Sequence, residues 1–195
     1  MKRPAVFMDR DGTINEQMGY INHISRFVVL PGTAEAIRLL NKTGFLTIIV
    51  TNQSGVARGY FPIELVDEVH NHLRCVLQKE DAVIDDILFC PHYPKGKVEE
   101  YDLGCNCRKP KPGLIQKACR KFDIDMDRSY VIGDRVSDIE LAERCRLKGI
   151  LVKTGYGKGD LAYVFPNSQL KPFYVAKDLL AAVQWIIKDA RREKD

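Results

Sequence analysis

The sequence predicts a three-layer α/β fold with a central parallel sheet and helices on both faces. Three observations carry this. Strand-like and helix-like runs alternate from one end of the chain to the other. The run FLTIIVTN (45–52) is β-branched and continuous, as suits a parallel strand covered on both sides. Acidic and hydroxyl residues gather where the strand-like runs end, which is where ligands sit in such sheets.

In order, PAVFMD (4–9) reads as a buried strand. TAEAIRLLNKTG (33–44) has apolar residues at helical spacing, a Thr33 cap and a closing Gly44. The strand 45–52 follows. PIELVDEVHNHLRCVLQKE (62–80) is a long amphipathic helix opening on a proline, which suits a first helical turn. IDDILFC (84–90) is a third strand, PGLIQKACRKFD (112–123) a helix and SYVIGD (129–134) a fourth strand. VSDIELAERCRL (136–147) is a helix, GILVKTG (149–155) a fifth strand and AKDLLAAVQWIIKDARR (176–192) a closing helix. No internal repeat or low-complexity tract interrupts this alternation, so one domain over 1–195 is expected. Two connections, 12–32 and 91–111, are long enough to be functional or disordered.

Thirty basic residues against 26 acidic ones leave a net charge of +4. That suits an anionic small molecule and argues weakly for nucleic acid. No segment approaches the roughly 20 apolar residues of a transmembrane helix. The start MKRPAVFM is too short in apolar residues for a signal-peptide core. A soluble, cytoplasmic monomer without nucleic-acid or membrane partners is expected. Its six cysteines then call for a role other than disulfides.

Asp9 and Asp11 end the first strand, Thr51 and Asn52 the second, Cys90 the third, and Asp134 the fourth, with Asp138 four residues on. Lys109 lies downstream of the long 91–108 loop. Carboxylates crowded together raise one another's pKa and need a cation. Hard oxygen donors select Mg²⁺ over zinc. A calcium loop is excluded, because the positions that would need a third acidic residue and a glutamate hold Thr13 and Tyr20. Gly12 is read as turning the backbone and keeping a side chain away from a bound anion.

Cys90-x-His92 is followed, after twelve residues, by Cys105-x-Cys107. Three thiolates and an imidazole match the tetrahedral donor set of structural Zn²⁺. The intervening loop has little apolar material to order itself. A metal clip over about 90–107 supplies that order and fixes the segment leading into Arg108 and Lys109. Cys75, Cys119 and Cys145 fall in helical runs and read as buried apolar residues.

FMDRDGTIN resembles the first signature of the haloacid-dehalogenase-like phosphatases, VTNQSG the second, RKPKPG the third and VIGDRVSD the fourth. All four occur in order across most of the chain. The resemblance implies a Rossmann-like fold without a large cap domain, since 12–32 is too short to hold one. It implies Asp9 as nucleophile, Asp11 as general acid and base, and Thr51 and Lys109 as stabilisers of the transferring phosphoryl group. It implies Mg²⁺ on Asp9, the backbone carbonyl of Asp11, and Asp134; Asp138 is read as an outer partner of the metal, not a direct ligand, with support of Asp134 the alternative. A scaffold without activity and a zinc-stabilised nucleic-acid module both leave this set unexplained.

Two zinc-bearing subgroups share the C-x-H…C-x-C-RKP arrangement. The chain resembles the D-glycero-D-manno-heptose-1,7-bisphosphate 7-phosphatase subgroup over nearly its whole length, through DRDGTIN…GYI, TNQSGVARGYF and CPHYPKGKVEEY…CNCRKPKPG. The histidinol-phosphate subgroup, the alternative, has a shorter loop between its metal-ligand pairs and lacks SGVARGYF. The resemblance implies substrate contacts at Gln17, Met18, Gly19, Tyr20, Thr51, Asn52, Gln53, Ser54 and Lys109; Arg108 beside Lys109 and Arg135 beside Asp134 are read as charge for a second phosphate, which a planar guanidinium suits. The resemblance places the product on the way to nucleotide-activated heptose for lipopolysaccharide core or a surface glycan.

Overall fold

The computed structural model describes residues 2–192. Six parallel strands form one sheet in the order β3-β2-β1-β4-β5-β6. They are β1 (Arg3–Met8), β2 (Leu46–Asn52), β3 (Asp86–Cys90), β4 (Ile124–Gly133), β5 (Lys148–Val152) and β6 (Tyr174–Ala176). Helices α1 (Thr33–Lys42), α2 (Ile63–Gln78), α3 (Gly113–Lys121) and α4 (Val136–Arg144), with the C-terminal helix Leu179–Arg192, cover its faces.

The strands are apolar at consecutive positions because both faces are buried. Val6 and Met8 join one core cluster with α1, α2 and the C-terminal helix, whereas Ala5 and Phe7 join a second with α3 and α4. Ile49 and Ile48 divide between the clusters in the same way. Each fully buried aliphatic side chain stabilises by about 1.5–3 kcal/mol relative to exposure, so a polar residue within these strands would be costly.

The strand order runs 3-2-1 in one direction and 4-5-6 in the other. The reversal falls between β1 and β4, which pair in parallel as Phe7 with Val131 and Met8 with Ile132. Such a reversal opens a crevice beyond the carboxyl ends of the two strands. Asp9 follows β1 and Asp134 follows β4, so sheet topology alone places both at that crevice.

Several sequence expectations shift. The closing helix begins at Leu179, because Tyr174–Ala176 pair with β5 as a sixth strand. Asp178 Oδ1 accepts a 2.9 Å hydrogen bond from the Ala181 N–H, which starts the helix there. Strand β4 begins at Ile124, five residues early, where Arg3 and Pro4 supply pairing partners. Strand β5 stops at Val152, and the chain turns at Thr154 towards the strand ends. Thr33 is not the cap of α1: Gly32 holds that position, and the Thr33 hydroxyl donates to the Ile14 carbonyl at 3.1 Å. Cys75 and Cys119 are exposed and Cys145 only half-buried, so the three cysteines are not core residues. Between β1 and α1 the described helical structure is one 3₁₀ turn, Ile24–Arg26, and no cap domain stands over the strand ends there. No helix among the described residues is long and apolar enough to cross a membrane.

Candidate active site

The segment after β1 turns sharply at Gly12, whose φ of +88° lies in the left-handed region. A Cβ at this position would run into the carboxylate of Asp134. The glycine therefore makes room for an acidic side chain of the site itself, rather than for a bound anion. The Thr154 hydroxyl donates to the Gly12 carbonyl at 2.6 Å, tying the turn to the chain beyond β5.

Asp9 Oδ1 lies 2.8 Å from Lys109 Nζ and accepts the Arg10 backbone N–H at 2.7 Å. Both contacts fall on one carboxylate oxygen, Oδ1. Lys109 Nζ also lies 2.6 Å from Asp138 Oδ1, and its side chain is 2% exposed. An ammonium has three protons, so after these two carboxylates one remains for a third acceptor. Burial opposes the charge on Lys109, yet Asp138 and Asp9 hold its pKa well above the ordinary value. Asp138 Oδ2 accepts the Arg135 N–H at 3.1 Å at the start of α4. Both Asp138 oxygens are thus engaged, as suits a carboxylate that positions Lys109.

The carboxylates differ in electrostatic state. Burial, together with the charges of Asp138 and Asp11, pushes Asp9 up to about 6 despite Lys109. Burial with Asp9 and Asp138 pushes Asp134 up to about 8, although Oδ2 accepts the Tyr156 N–H at 2.7 Å. Asp134 Oδ1 is buried and has no hydrogen-bond partner among the described residues. Carboxylate oxygens of Asp9, Asp134 and Asp138 lie within 4.8 Å of one another. An orphaned buried oxygen, a hard all-oxygen donor set and two raised carboxylates fit a divalent cation such as Mg²⁺.

Asp11 is the opposite case. Burial raises its pKa, but the Arg10 charge and hydrogen bonds from Asn15, Gln53 and Arg10 outweigh that and hold it below the usual carboxylate range. Gln53 Nε2 donates to Asp11 Oδ2 at 2.8 Å and to Thr51 Oγ1 at 2.9 Å. Thr51 accepts in that pair, so its hydroxyl proton is available to a ligand in the cavity.

A cavity of about 420 Å³ opens over these groups. It is lined by Asp9, Asp11, Thr51 and Lys109, and by seven more of the contacts expected from the sequence: Gln17, Gly19, Tyr20, Asn52, Ser54, Arg108 and Arg135. Met18 does not line it; the side chain packs against the core. Gln53 is buried behind Asp11 and Thr51 and acts through them. Asn52 also braces the third signature, with its side-chain oxygen 3.0 Å from the Lys109 N–H and its amide 3.2 Å from the Lys109 carbonyl.

Beside the cavity, Cys90 Sγ and Cys107 Sγ lie 3.4 and 3.2 Å from Cys105 Sγ, and His92 Nδ1 lies 3.2 Å from Cys107 Sγ. The four donor atoms are within 4.8 Å of one another. Three sulfurs and an imidazole nitrogen at that spacing fit Zn²⁺, whose bonds to sulfur are about 2.3 Å long. Burial and neighbouring thiols push Cys90 up. At Cys105 burial also opposes ionisation, but hydrogen bonds from Cys107 and Cys90 and from backbone N–H groups outweigh it and lower the pKa.

A protein of Thermosynechococcus vestitus named D-glycero-D-manno-heptose-1,7-bisphosphate 7-phosphatase is 40% identical over 190 residues, 95% of this chain and 96% of its own length. The chain belongs to the heptose-bisphosphate phosphatases of the haloacid-dehalogenase-like family. The D-glycero-beta-D-manno-heptose-1,7-bisphosphate 7-phosphatase of Escherichia coli K12 is 42% identical over 153 residues, 78% of this chain and 80% of its own. The HAD-hydrolase-like family model matches residues 106–182, which include Lys109 and Asp134. A crystal structure of D,D-heptose 1,7-bisphosphate phosphatase from B. bronchiseptica, complexed with magnesium and phosphate, superposes with a TM-score of 0.84 at 31% identity, covering 97% of this chain and 99% of that one.

Other residues at this phosphatase site escape sequence reasoning. Arg10 pairs with Asp11 from beneath. Arg58, Ser137 and Tyr156 line the cavity. Tyr156 contributes a backbone N–H, which no sequence pattern announces. Arg10 lies inside the DRDG stretch, so the one available signal is an arginine between two carboxylates.

Proposed function

We propose that this phosphatase removes the 7-phosphate of D-glycero-D-manno-heptose 1,7-bisphosphate through an aspartyl phosphate on Asp9. The observation that carries the reading is the shared cavity. Asp9 lines the same space as Arg108 and Arg135, two guanidiniums that the reacting centre does not require. The names borne by relatives over nearly the whole chain support it.

Asp9 Oδ2 attacks phosphorus as the ester bond to the sugar oxygen breaks. Asp11 gives its proton to that oxygen. The arriving phosphate dianion supplies like charge that raises the Asp11 pKa towards the protonated state this step needs. Asp11 then takes a proton from the water that attacks phosphorus, and the bond to Asp9 breaks. Lys109 and the Thr51 hydroxyl offer donors to the equatorial oxygens. Mg²⁺ held by Asp9, the Asp11 carbonyl and Asp134 supplies charge that offsets repulsion between carboxylate and phosphate. Zn²⁺ on Cys90, His92, Cys105 and Cys107 is structural in this reading and orders residues 90–107. Residues 1–195 act as one catalytic domain, as a cytoplasmic monomer, and the product feeds nucleotide-activated heptose.

Phosphate release from both anomers of the heptose bisphosphate and from histidinol phosphate, with Mg²⁺ or EDTA, tests the proposal. The expected result is Mg²⁺-dependent turnover with a much higher kcat/KM for the bisphosphate. Equal or greater efficiency on histidinol phosphate overturns the substrate assignment. An Asp9→Asn variant with wild-type turnover overturns the mechanism.

A further inference from the structure

Asp160 is a buried carboxylate to which the catalytic scheme gives no part. It lies in the stretch GYGKGD that follows β5, four residues beyond Tyr156. Its Oδ2 accepts the Val136 N–H at 2.8 Å, at the start of α4. The same oxygen lies 3.8 Å from Arg135 Nε, an ion pair too long to be a hydrogen bond. The Asp160 side chain is 7% exposed and that of Arg135 is 48%, so the carboxylate is the fixed partner and the arginine the one being held. The Arg135 guanidinium carbon also lies 4.5 Å from the centroid of the Tyr156 ring. Arg135 and Tyr156 both line the cavity.

The segment that makes both contacts is itself anchored. Tyr156 donates its N–H to Asp134 Oδ2 at 2.7 Å, and its carbonyl accepts the Asp160 N–H at 2.9 Å. The flanking glycines let it approach this closely: a Cβ on Gly155 would meet the Asp134 carboxylate, and one on Gly157 the Val152 carbonyl. The backbone of Tyr156 is thus held by contacts that do not involve its ring. A half-exposed arginine has several rotatable bonds, and a ligand that used it would have to immobilise them on binding. A ring beneath the guanidinium and a buried carboxylate beside Nε restrict that freedom beforehand. A pair with one exposed partner adds little stability, so Asp160 matters for direction more than for strength.

From this geometry we infer that Tyr156 and Asp160 are positioning residues for Arg135, and that through it they set the affinity for the anionic substrate. The Tyr156 ring supplies the face on which the guanidinium rests, and Asp160 draws its Nε side towards α4. This role rests on the proposed reading, in which Arg135 serves the substrate and not the reacting centre. One residue then joins two parts of the site: Tyr156 holds Asp134 through its backbone and Arg135 through its ring.

A double-mutant cycle tests it. KM and kcat are measured for heptose 1,7-bisphosphate and for fructose 1,6-bisphosphate in wild type, Arg135→Ala, Tyr156→Leu, Tyr156→Phe, Asp160→Asn and the double variant Arg135→Ala/Tyr156→Leu. Arg135→Ala is expected to raise KM about tenfold, and Tyr156→Leu and Asp160→Asn about threefold or more, through KM rather than kcat. Asp160→Asn keeps an oxygen for the Val136 N–H and loses only the charge. Tyr156→Phe keeps the ring and the wild-type KM. In the Arg135→Ala background Tyr156→Leu raises KM no further, because the side chain it orients is gone. A wild-type KM in Arg135→Ala, Tyr156→Leu or Asp160→Asn overturns the inference. So does an equal rise from Tyr156→Leu in both backgrounds, or a Tyr156→Phe that behaves like Tyr156→Leu. A Tyr156→Leu that lowers kcat and raises the Mg²⁺ requirement at unchanged KM also overturns it, since the ring would then be supporting Asp134. If wild type does not prefer the heptose ester to fructose 1,6-bisphosphate, the substrate reading fails by itself, and the same cycle on fructose 1,6-bisphosphate still decides the inference.

Discussion

Arg10 Nη2 lies 2.9 Å from Asp11 Oδ2 and 3.0 Å from Asp11 Oδ1, a two-point contact from a guanidinium almost sealed from solvent. Its other terminal nitrogen, Nη1, lies 3.2 Å from His70 Nε2. Burial and the charges of Arg10 and Arg74 push His70 down to about 3. The ring is therefore neutral at physiological pH, and since arginine only donates, Nε2 is the acceptor and the ring proton sits on Nδ1. A neutral histidine thus fixes the arginine that fixes Asp11, the carboxylate proposed as acid and base.

Replacing Arg10 with methionine removes the charge that lowers the Asp11 pKa most. The expected outcome is a fall in kcat of about 10-fold to 100-fold as Asp11 loses its placement, with the pH–rate profile moved to higher pH. Steady-state kinetics across pH checks it. Unchanged kcat and profile would show that Arg10 only fills space.

The raised carboxylates set the pH dependence of stability. Asp9 and Asp134 rise from 3.8 to about 6 and about 8 in the folded state. Between those limits the native protein binds more protons than the unfolded chain, so stability falls as pH rises through this window. Asp11, being lowered, contributes the opposite sign: its stabilisation is present above the ordinary carboxylate pKa and is lost only as pH falls below it. Metal-free protein is therefore expected to lose thermal stability from pH 5 to pH 8, and Mg²⁺ to restore most of it. Calorimetry on Mg²⁺-free protein with the cysteine cluster left unchelated, and with saturating Mg²⁺, measures both; a Mg²⁺-free Tm that climbs over this range contradicts the cause assigned to the shifts.

Much of the fold and the site is legible in the sequence, for identifiable reasons. Strands at the sheet centre bury both faces, so β2 announces itself as LTIIVTN, and the four donors of the cysteine cluster keep a recognisable spacing. Strand β6 is hidden because its three residues, Tyr174 to Ala176, merge into the pattern of the helix that follows. Arg10 and Tyr156 are hidden for a different reason. One acts through its burial beside His70 and the other through a backbone N–H, and neither leaves a periodic trace. The role of Gly12 is half legible: the turn shows in the sequence, but the neighbour that excludes a side chain is Asp134, 122 residues away in sequence and visible only once β1 and β4 pair.

That neighbour makes Gly12→Ala informative. The substitution adds a methyl group against the Asp134 carboxylate at a φ that L-residues avoid. Backbone strain alone costs on the order of 1–3 kcal/mol. Displacement of Asp134 is expected to weaken Mg²⁺ activation as well, seen as an increase of about tenfold or more in the Mg²⁺ concentration for half-maximal activity. A variant that is destabilised but keeps its Mg²⁺ dependence would separate the strain from the displacement.

The zinc proposed for the cysteine cluster gives the last expectation. Cys90 ends β3, and Cys105 and Cys107 precede Arg108 and Lys109, so the four donors join the sheet to the segment carrying Lys109. Between them the chain has one 3₁₀ turn, Glu99–Tyr101, and few buried apolar side chains. Without a metal the loop is left with little beyond those contacts and the backbone bonds to Ala57 to hold its form. Structural zinc contributes about 10–16 kcal/mol of apparent binding free energy in small domains, far more than such bonds. Chelation is expected to raise amide exchange across 93–104, lower Tm and reduce kcat/KM for every phosphate ester, because Lys109 loses its placement. Hydrogen exchange and kinetics on the same chelated sample decide it: full activity with unchanged loop protection would show that the cluster holds its shape, and Lys109 its position, without metal.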